Sequence, residues 1–185
     1  MKQEISKLKT TPKLLLHVCC APCSSAVIER LNMFNLTLYY SNPNTYPQNE
    51  YILRAEQFKK FTDKPIVVEE YNHNSFLTEI KGLENELEGG TRCQKCIALR
   101  LKNSFEYAKQ NGYDYITTSL SVSPHKDSEF INQEGLRLSQ IYGIKFLVAD
   151  FKKENGYLNS INLSKKFNLY RQDYCGCEFS ITNKK

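Results

Sequence analysis

The sequence predicts a single α/β domain in which a parallel sheet carries helices on both faces. Short apolar runs such as 14–18 and 65–68 alternate along the 185 residues with amphipathic stretches. Strands that alternate with helices of roughly ten or more residues are typical of parallel sheets covered on both sides. No linker, repeat or change in composition divides the chain, whose length fits one domain. We therefore assign residues 1–185 to one domain, with an ordered core over about 12–180.

The hydrophobic periodicity predicts the order of the elements. Strands are expected at residues 14–18, 36–41, 65–68, 114–120 and 144–149. Helices are expected after Pro22, around 51–58, over 92–110 and between the last two strands, with a loop and a short helix at 72–90. Gly135 disfavours the helix in which it lies, whereas Asn111-Gly112 is a typical helix end. The last residues, Lys184 and Lys185, are expected to fray.

Seven cysteines form three clusters, and this clustering is the most informative feature of the sequence. The clusters are Cys19-Cys20 with Cys23, Cys93 with Cys96, and Cys175 with Cys177. An odd number excludes a complete set of internal disulfides, and no apolar run reaches the roughly 18 residues of a membrane span. The polar start MKQEISKLKTTPK lacks the apolar core of a secretion signal. We expect a cytoplasmic protein, in which clustered cysteines more often serve metal or redox chemistry than disulfide formation.

The predicted topology brings distant segments to one edge of the sheet. The carboxyl ends of parallel strands share an edge, so residues 17–20 after the first strand and 119–125 after the fourth are expected to meet there. Adjacent cysteines in a strand point to opposite faces, so Cys19 and Cys20 can share one metal only where the chain leaves the strand. The apolar run ends at Val18, which is where that release is expected.

Cys93 and Cys96 are three residues apart, so they face the same side of the predicted helix. Thr91 to Gln94 has the form of a capping box, which places both thiols in the first two turns, where the helix dipole stabilises thiolates. Two sulfurs of the first cluster would complete a four-sulfur set, which is typical of zinc or an iron–sulfur cluster. The alternative is a pair of small buried residues.

The remaining cysteines allow more than one interpretation. Gly176 permits the tight backbone of a disulfide between Cys175 and Cys177, whose strain would favour reduction and indicates a reversible two-electron switch. The alternative is two further metal ligands. One cysteine is left after four ligands and one pair; Cys23 is the first candidate for that role, and Cys19 is the second.

Charge and motif content narrow the function classes. A net charge of +5 and an isoelectric point near 8.7 permit an RNA substrate without requiring one, because dedicated nucleic-acid domains are usually more basic. Tyr46, Tyr51 and Arg54 offer stacking groups for bases, although packing is the more common role of aromatic residues. The polar segment 119–126 offers hydroxyls and two basic groups to a polar substrate, or is simply a solvated turn. No phosphate loop, dinucleotide fingerprint, zinc-protease motif or nucleophile elbow occurs.

Four motifs taken together resemble the QueH family of epoxyqueuosine reductases. They are HVCCAPCSS, RCQKCIALRL, TTSLSVSPHKDSEFIN and DYCGCEFS, in an order that spans about Leu14 to Ser180. The resemblance implies a Rossmann-like, HUP-type fold related to the adenine-nucleotide α-hydrolases. In those relatives a glycine- and serine-rich loop holds pyrophosphate, but residues 19–23 carry cysteines here, so ATP chemistry is not expected. The implied reaction is the two-electron reduction of the epoxide of epoxyqueuosine, at the wobble position of tRNA, to queuosine.

The resemblance also implies roles for individual cysteines. The residues that match its ligands for a 4Fe-4S cluster are Cys19, Cys20, Cys93 and Cys96. Cys175 and Cys177 match its Y-C-G-C pair and would form a redox-active disulfide. In a rival allocation, one sulfur of this pair helps to hold a second, mononuclear iron near the cluster.

The implied partners are a tRNA that carries epoxyqueuosine and an external electron donor, with no membrane involved and a monomer expected. As a hypothesis, His125, Lys126 or Asp173 supplies a proton to the reaction. Two other functions remain open at this point. One is a structural zinc protein that interacts with RNA, and the other is a thiol–disulfide oxidoreductase that uses Cys93 and Cys96.

Overall fold

The computed structural model describes residues 11–181, which form a parallel sheet flanked by helices. The strands are β1 (Lys13–His17), β2 (Asn35–Tyr40), β3 (Ile66–Val68), β4 (Tyr115–Thr118) and β5 (Lys145–Phe146). The helices are α1 (Ala21–Arg30), α2 (Gln48–Glu56), α3 (His73–Glu79), α4 (Thr91–Asn111), α5 (Ser128–Tyr142), α6 (Gly156–Lys166) and α7 (Glu178–Ile181). Short 3-10 turns lie at Gln57–Lys60 and Ser119–Val122. The predicted fraying of Lys184 and Lys185 lies outside the described residues.

The strand order is β3-β2-β1-β4-β5, and every neighbouring pair is parallel. The predicted parallel sheet is therefore confirmed, while the closer likeness to adenine-nucleotide α-hydrolases and the single-domain assignment stay predictions. The chain order of the strands reverses at β1, which lies between β2 and β4. In open α/β sheets, ligands bind beyond the carboxyl ends of the strands at such a reversal.

Apolar side chains of β1 alternate between the two faces of the sheet, which is why helices cover both. Leu14 and Leu16 pack in one buried cluster with Leu31 after α1, whereas Leu15 packs in a second cluster with Leu101 and Phe105 of α4. All three leucines of β1 are fully buried. Burying one such side chain contributes about 1.5–3 kcal/mol, so this strand anchors both helical layers.

Two strands are shorter than predicted. The chain leaves β4 after Thr118 and enters the 3-10 turn at Ser119–Val122, although a strand through residue 120 was expected. β5 contains only Lys145 and Phe146, because these are the residues that pair with β4. Both differences shorten the carboxyl ends of strands on the same side of β1.

Gly135 lies inside α5 because a larger residue would not fit there. A Cβ atom at this position would approach ring atoms of Phe146 to 2.4 Å, well inside van der Waals contact. Gly135, which disfavours a helix when only the sequence is considered, is thus required where α5 crosses β5. The predicted helix is present.

The two helices after β5 were not predicted from the sequence. α6 packs against α1, and Arg30 of α1 donates hydrogen bonds to the carbonyls of Lys153 and Glu154 at 3.0 and 2.8 Å. α7 follows the Cys175–Cys177 segment directly. Within residues 11–181, no helix combines the length and the apolar character that crossing a membrane requires.

A candidate cysteine-lined active site

A cavity of about 370 Å³ opens beyond the carboxyl ends of β1 and β4; we call it the outer cavity. The segments after these two strands meet there, as the topology predicted, and the backbone N–H of Cys19 donates to the hydroxyl of Ser119 at 3.3 Å. His17 Nδ1 lies 2.8 Å from Thr118 Oγ1, which joins the ends of the same strands. The outer cavity therefore occupies the position where open α/β sheets bind ligands.

Three cysteine sulfurs form a group at the base of the outer cavity, which we call the cysteine trio. Its members are Cys19, Cys20 and Cys23, whose sulfurs all lie within 4.8 Å of one another. The last sheet hydrogen bond here is from the N–H of Val18 to the carbonyl of Tyr39, so Cys19 and Cys20 lie beyond the strand. Cys20 precedes α1 in an extended conformation, and Cys23 follows in its first turn. This release from the strand lets adjacent cysteines face one point, as the sequence predicted.

Cys23, the first candidate for the spare cysteine, lies beside Cys19, the second candidate, and the choice between them stays a prediction. Pro22 begins the helix, so the next residue turns back towards the end of β1, and the sulfur of Cys23 joins those of Cys19 and Cys20. Any group bound by Cys19 and Cys20 would therefore also meet Cys23.

The trio holds one negative charge more readily than an isolated thiol does. Hydrogen bonds from the thiols of Cys20 and Cys23 hold the pKa of Cys19 well below its usual value. The same hydrogen bonds raise the pKa of Cys20 to about 12 and also raise that of Cys23, with burial adding to both shifts. These hydrogen bonds favour one thiolate with two thiol donors, and the thiolate is the form that binds metal.

The other four cysteines line a second, narrow cavity of about 10 Å³, which we call the inner cavity. They are Cys93, Cys96, Cys175 and Cys177. Burial raises the pKa of Cys96 to about 12 and raises that of Cys177. All seven cysteines of the chain are free thiols here, so the predicted pairing of Cys175 with Cys177 stays a prediction.

The helix that carries Cys93 and Cys96 begins differently from the predicted capping box. Gly90 is the N-cap and no side chain caps the helix, so Thr91 is its first residue rather than its cap. The amides of Cys93 and Gln94 instead donate to the carbonyl of Gly90, at 2.9 and 3.2 Å. Both cysteines still lie in the first two turns of α4, as predicted, because the start shifts by only one residue.

Gly176 shapes the segment that carries the last two cysteines. Its φ of +137° is a conformation that other residues rarely adopt, and a Cβ atom would lie 3.0 Å from Arg54 Nη1. Arg54 also donates from Nη1 to the carbonyl of Cys175 at 3.1 Å, while its Nε pairs with Glu50 at 2.7 Å. The segment is therefore held against α2 by a buried arginine that the sequence analysis considered only as a stacking group.

The outer and inner cavities share part of their walls. Asn44, Arg100, Lys126 and Cys175 line both of them. All seven cysteines consequently line one or other of two adjoining cavities. The predicted ligands divide between them, Cys19 and Cys20 in the trio and Cys93 and Cys96 in the inner cavity.

Positive side chains lie between the two groups of cysteines. Lys126 Nζ lies 2.9 Å from the sulfur of Cys175. Burial lowers the pKa of Lys126, but negative charge on Cys175 outweighs this effect and raises that pKa above its usual value. Arg100 is 3% exposed and donates from Nη2 to Oδ1 of Asn42. Its charge favours the thiolate of Cys19 and that of Cys96, one in each group.

His17 is a structural residue rather than a ligand. It is fully buried, and its two ring nitrogens lie 2.8 Å from Thr118 Oγ1 and 3.2 Å from the carbonyl oxygen of Ser41. Burial, with Arg100 nearby, lowers the pKa of His17 to about 3, so the ring is neutral at physiological pH.

The three predicted proton donors, His125, Lys126 and Asp173, all line the outer cavity. Sequence reasoning missed Arg92 and Arg100, which also face the inner cavity. The sequence does carry a pattern that points to the two arginines. Arg92, Cys96 and Arg100 are spaced four residues apart and therefore share one face of the helix. Sequence reasoning also missed Asn42 and Asn44, for which the sequence carries no comparable pattern.

An α/β fold with thiols and cations around two adjoining cavities at the carboxyl edge of the sheet defines a class of sulfur-based metal or redox proteins. A model of the family described as "Epoxyqueuosine reductase QueH" matches residues 14–183. The chain belongs to this family.

Relatives that bear the name epoxyqueuosine reductase QueH support the assignment. The Streptococcus pyogenes protein is 38% identical over 184 residues, which cover 94% of this chain and 72% of the relative. The Staphylococcus epidermidis protein is 40% identical over 181 residues, which cover 91% of this chain and 76% of the relative. The Thermotoga maritima protein is 32% identical over 178 residues, covering 93% and 92%. Family membership makes this chain an oxidoreductase and does not favour the structural zinc protein or the thiol–disulfide oxidoreductase.

Proposed function

We propose that this chain reduces the epoxide of epoxyqueuosine in tRNA to give queuosine, with electrons delivered through an iron–sulfur cluster. The proposed 4Fe-4S ligands are Cys19, Cys20, Cys93 and Cys96. The observation that carries the proposal is that seven cysteines from three distant segments line two adjoining cavities at the carboxyl edge of the sheet. The proposal includes a cytoplasmic location, where such thiols stay reduced.

The donor set fits a metal group with sulfur ligands. The trio offers thiols only, and hydrogen bonds from two of them lower the pKa of the third, Cys19. Cys93 and Cys96 add two further sulfurs on the other side of the shared wall. All-sulfur sets bind zinc or iron–sulfur clusters. Because zinc has no redox chemistry and this reaction consumes electrons, we infer an iron–sulfur cluster.

Removal of the epoxide oxygen defines what the site must supply. Both C–O bonds break, a C=C bond forms between the two carbons, and two electrons and two protons release the oxygen as water. When bound, the cluster supplies electrons one at a time, and an iron with an open coordination position would polarise the epoxide oxygen. The electrons come ultimately from an external donor.

Cys175 and Cys177 are proposed as a redox-active pair. As a dithiol they hold two electrons and two protons, which they release when a disulfide forms. Their position next to Cys93 and Cys96 supports electron exchange with the cluster, and Cys175 also faces the outer cavity. A second iron held partly by one of these sulfurs is the alternative, and it predicts a higher iron content.

The protons would come from groups on the wall of the outer cavity, namely His125, Lys126 or Asp173. Each lies where a substrate in that cavity would meet it, and general acids contribute about 10²–10⁴-fold to such reactions. Replacing each residue in turn tests the assignment, and full turnover in all three variants would exclude all of them.

The outer cavity suits a single modified base rather than a folded RNA. Its volume of about 370 Å³ falls within the range of small-molecule sites. A base turned out of its stack would enter while the rest of the tRNA stays outside. Exposed Arg171 and partly exposed Tyr174, both on the lining, offer a charge and a ring to the nucleotide.

The test is anaerobic purification with iron, zinc and sulfide analysis, followed by turnover of tRNA that carries epoxyqueuosine with a strong chemical reductant. We expect iron, sulfide and queuosine formation. Cys19→Ala and Cys93→Ala should lose iron, whereas Cys175→Ala and Cys177→Ala should keep the cluster and lose turnover. The last two variants thus serve as matched controls for the first two.

Two results would contradict the proposal. One zinc with no iron in a colourless protein would indicate a structural zinc protein. Disulfide reductase activity in a metal-free chain that leaves epoxyqueuosine unchanged would indicate a thiol–disulfide oxidoreductase.

A further inference from the structure

Three cationic side chains converge on the inner cavity with its four cysteines. They are Arg92, Arg100 and Lys126. Arg92 is 2% exposed and Arg100 is 3% exposed, while Lys126 is half-buried. A buried charge is costly unless it is paired, so this concentration of positive charge needs an explanation.

Within residues 11–181, the hydrogen bonds of the two arginines go to carbonyl and amide oxygens. None of the ion pairs formed there includes any of the three. Arg92 donates from Nη1 to the carbonyls of Glu84 and Glu86, and its Nε and Nη2 have no hydrogen-bond partner. Arg100 donates to the amide oxygen of Asn42, and its Nε also lacks a partner.

The groups in the inner cavity that can carry negative charge are the cysteines. Lys126 already contacts the sulfur of Cys175 at 2.9 Å. Metal binding deprotonates its cysteine ligands, and four thiolates around a 4Fe-4S core leave the whole group negatively charged.

We propose that Arg92, Arg100 and Lys126 are the counter-charges of the cysteine-ligated cluster and that they raise its reduction potential. The inference rests on the proposed function, because it requires the cluster. Arg92 and Arg100 act as positioning residues, since they face the inner cavity with its sulfurs. Lys126 contacts the sulfur of Cys175 and also lines the outer cavity, where the substrate is proposed to bind.

The direction of the effect follows from charge. Reduction adds one electron to a group that is already negative, so nearby cations stabilise the reduced form more than the oxidised form. The effect is large in a buried site because screening there is weak. Net charge and hydrogen bonds to the sulfurs are among the features by which proteins set the potentials of such clusters.

Arg100 is the best residue for a test, because it is buried and lines both cavities. The comparison uses Arg100→Gln, which removes the charge, and Arg100→Lys, which keeps it. Lys102→Gln removes a charge from an exposed position on the same helix and serves as the control. Lys126→Gln provides a second, independent variant in case Arg100→Gln does not fold.

The measurement is the midpoint potential of the anaerobically reconstituted full chain, followed by optical titration, with iron and sulfide content determined for each sample. We expect Arg100→Gln and Lys126→Gln each to lower the equilibrium constant for reduction about tenfold. For a one-electron couple, this lowers the midpoint potential by about 59 mV. The midpoint potentials of Arg100→Lys and Lys102→Gln should stay close to that of the parent chain. Loss of iron from Arg100→Gln with retention in Arg100→Lys would also support the proposal.

Other outcomes overturn it. Iron-loaded Arg100→Gln and Lys126→Gln with the parent's potential would exclude the counter-charge role while leaving the proposed function intact. If the midpoint potential of Arg100→Lys fell as far as that of Arg100→Gln, the shape of the side chain rather than its charge would be responsible for the change. A parent chain that binds no iron would instead refute the cluster itself, which separates failure of the proposed function from failure of this inference.

Discussion

The ammonium nitrogen of Lys126 lies 2.9 Å from the sulfur of Cys175, which joins the loop after β4 to the segment before α7. These residues are 49 positions apart in the chain, and both line the outer and inner cavities. The contact places a positive charge on the one cysteine that faces both the substrate space and the other thiols. In the proposed function, this contact lies between the substrate and the thiols that exchange electrons.

Removal of this ammonium group should make Cys175 less reactive. In Lys126→Gln, negative charge on the sulfur loses its closest stabilising partner, so we expect alkylation of Cys175 by iodoacetamide to slow about tenfold at neutral pH. Peptide mapping of the metal-free chain by mass spectrometry gives the rate at each cysteine. Lys152→Gln is the control, because it removes a nearby charge that contacts the carbonyl of Lys126 and no sulfur. Equal rates at Cys175 in Lys126→Gln and the parent would refute this role.

Loss of a thiol donor from the trio should raise the pKa of Cys19. Hydrogen bonds from Cys20 and Cys23 favour its thiolate, so Cys23→Ala removes one of the two donors and moves the pH midpoint of Cys19 alkylation upward. At a given pH below that midpoint less thiolate is present, and alkylation slows. Cys23→Ser keeps a hydrogen-bond donor at the same position, so its pH midpoint for Cys19 alkylation should stay closer to that of the parent chain. A midpoint that does not move in Cys23→Ala would mean that Cys23 does not support the thiolate.

A side chain at residue 176 should impair both the fold and the turnover. Gly176→Ala places a Cβ atom 3.0 Å from Arg54 Nη1 and 3.2 Å from Asn44 Nδ2, in a backbone conformation that alanine rarely adopts. The backbone strain alone costs about 1–3 kcal/mol of the free energy of unfolding. Gly82→Ala is the matched control, since its φ is +84° but no atom lies within 4 Å of the added carbon. Urea unfolding and queuosine formation measure the two effects, and we expect turnover to fall in Gly176→Ala alone.

A methyl group at residue 135 should lower stability without altering the site. Gly135→Ala directs its Cβ atom into the ring of Phe146, and such overpacking typically costs about 1–3 kcal/mol. Phe146→Leu in the same chain makes room, so the double variant should recover part of the loss in thermal unfolding. The iron content of the folded protein should not change in either variant. Additive losses in the double variant would show that the two residues do not compete for space.

Much of the fold could be predicted because its signals are local. The apolar runs of β1, β2 and β3 and the periodic pattern of α4 lie within single segments of the chain. The lengths of β4 and β5 could not be predicted, because pairing with a neighbouring strand decides where each one ends. The helices after β5 were missed for a related reason: the burial of α6 depends on α1, which lies more than a hundred residues earlier.

The sequence by itself identified the residues proposed for the chemistry, which are three cysteine clusters, and an order of strands that brings two of the loops to one edge of a sheet. Only the tertiary structure decided how the seven sulfurs divide, with Cys23 joining Cys19 and Cys20 and with Cys175 beside Lys126. It also decided that Arg92 and Arg100 are buried and face a cavity lined by thiols. The physical reason is that spacing along a chain determines which side chains share a helix face or strand end. The partner of a charge or a sulfur depends instead on which distant segments pack together.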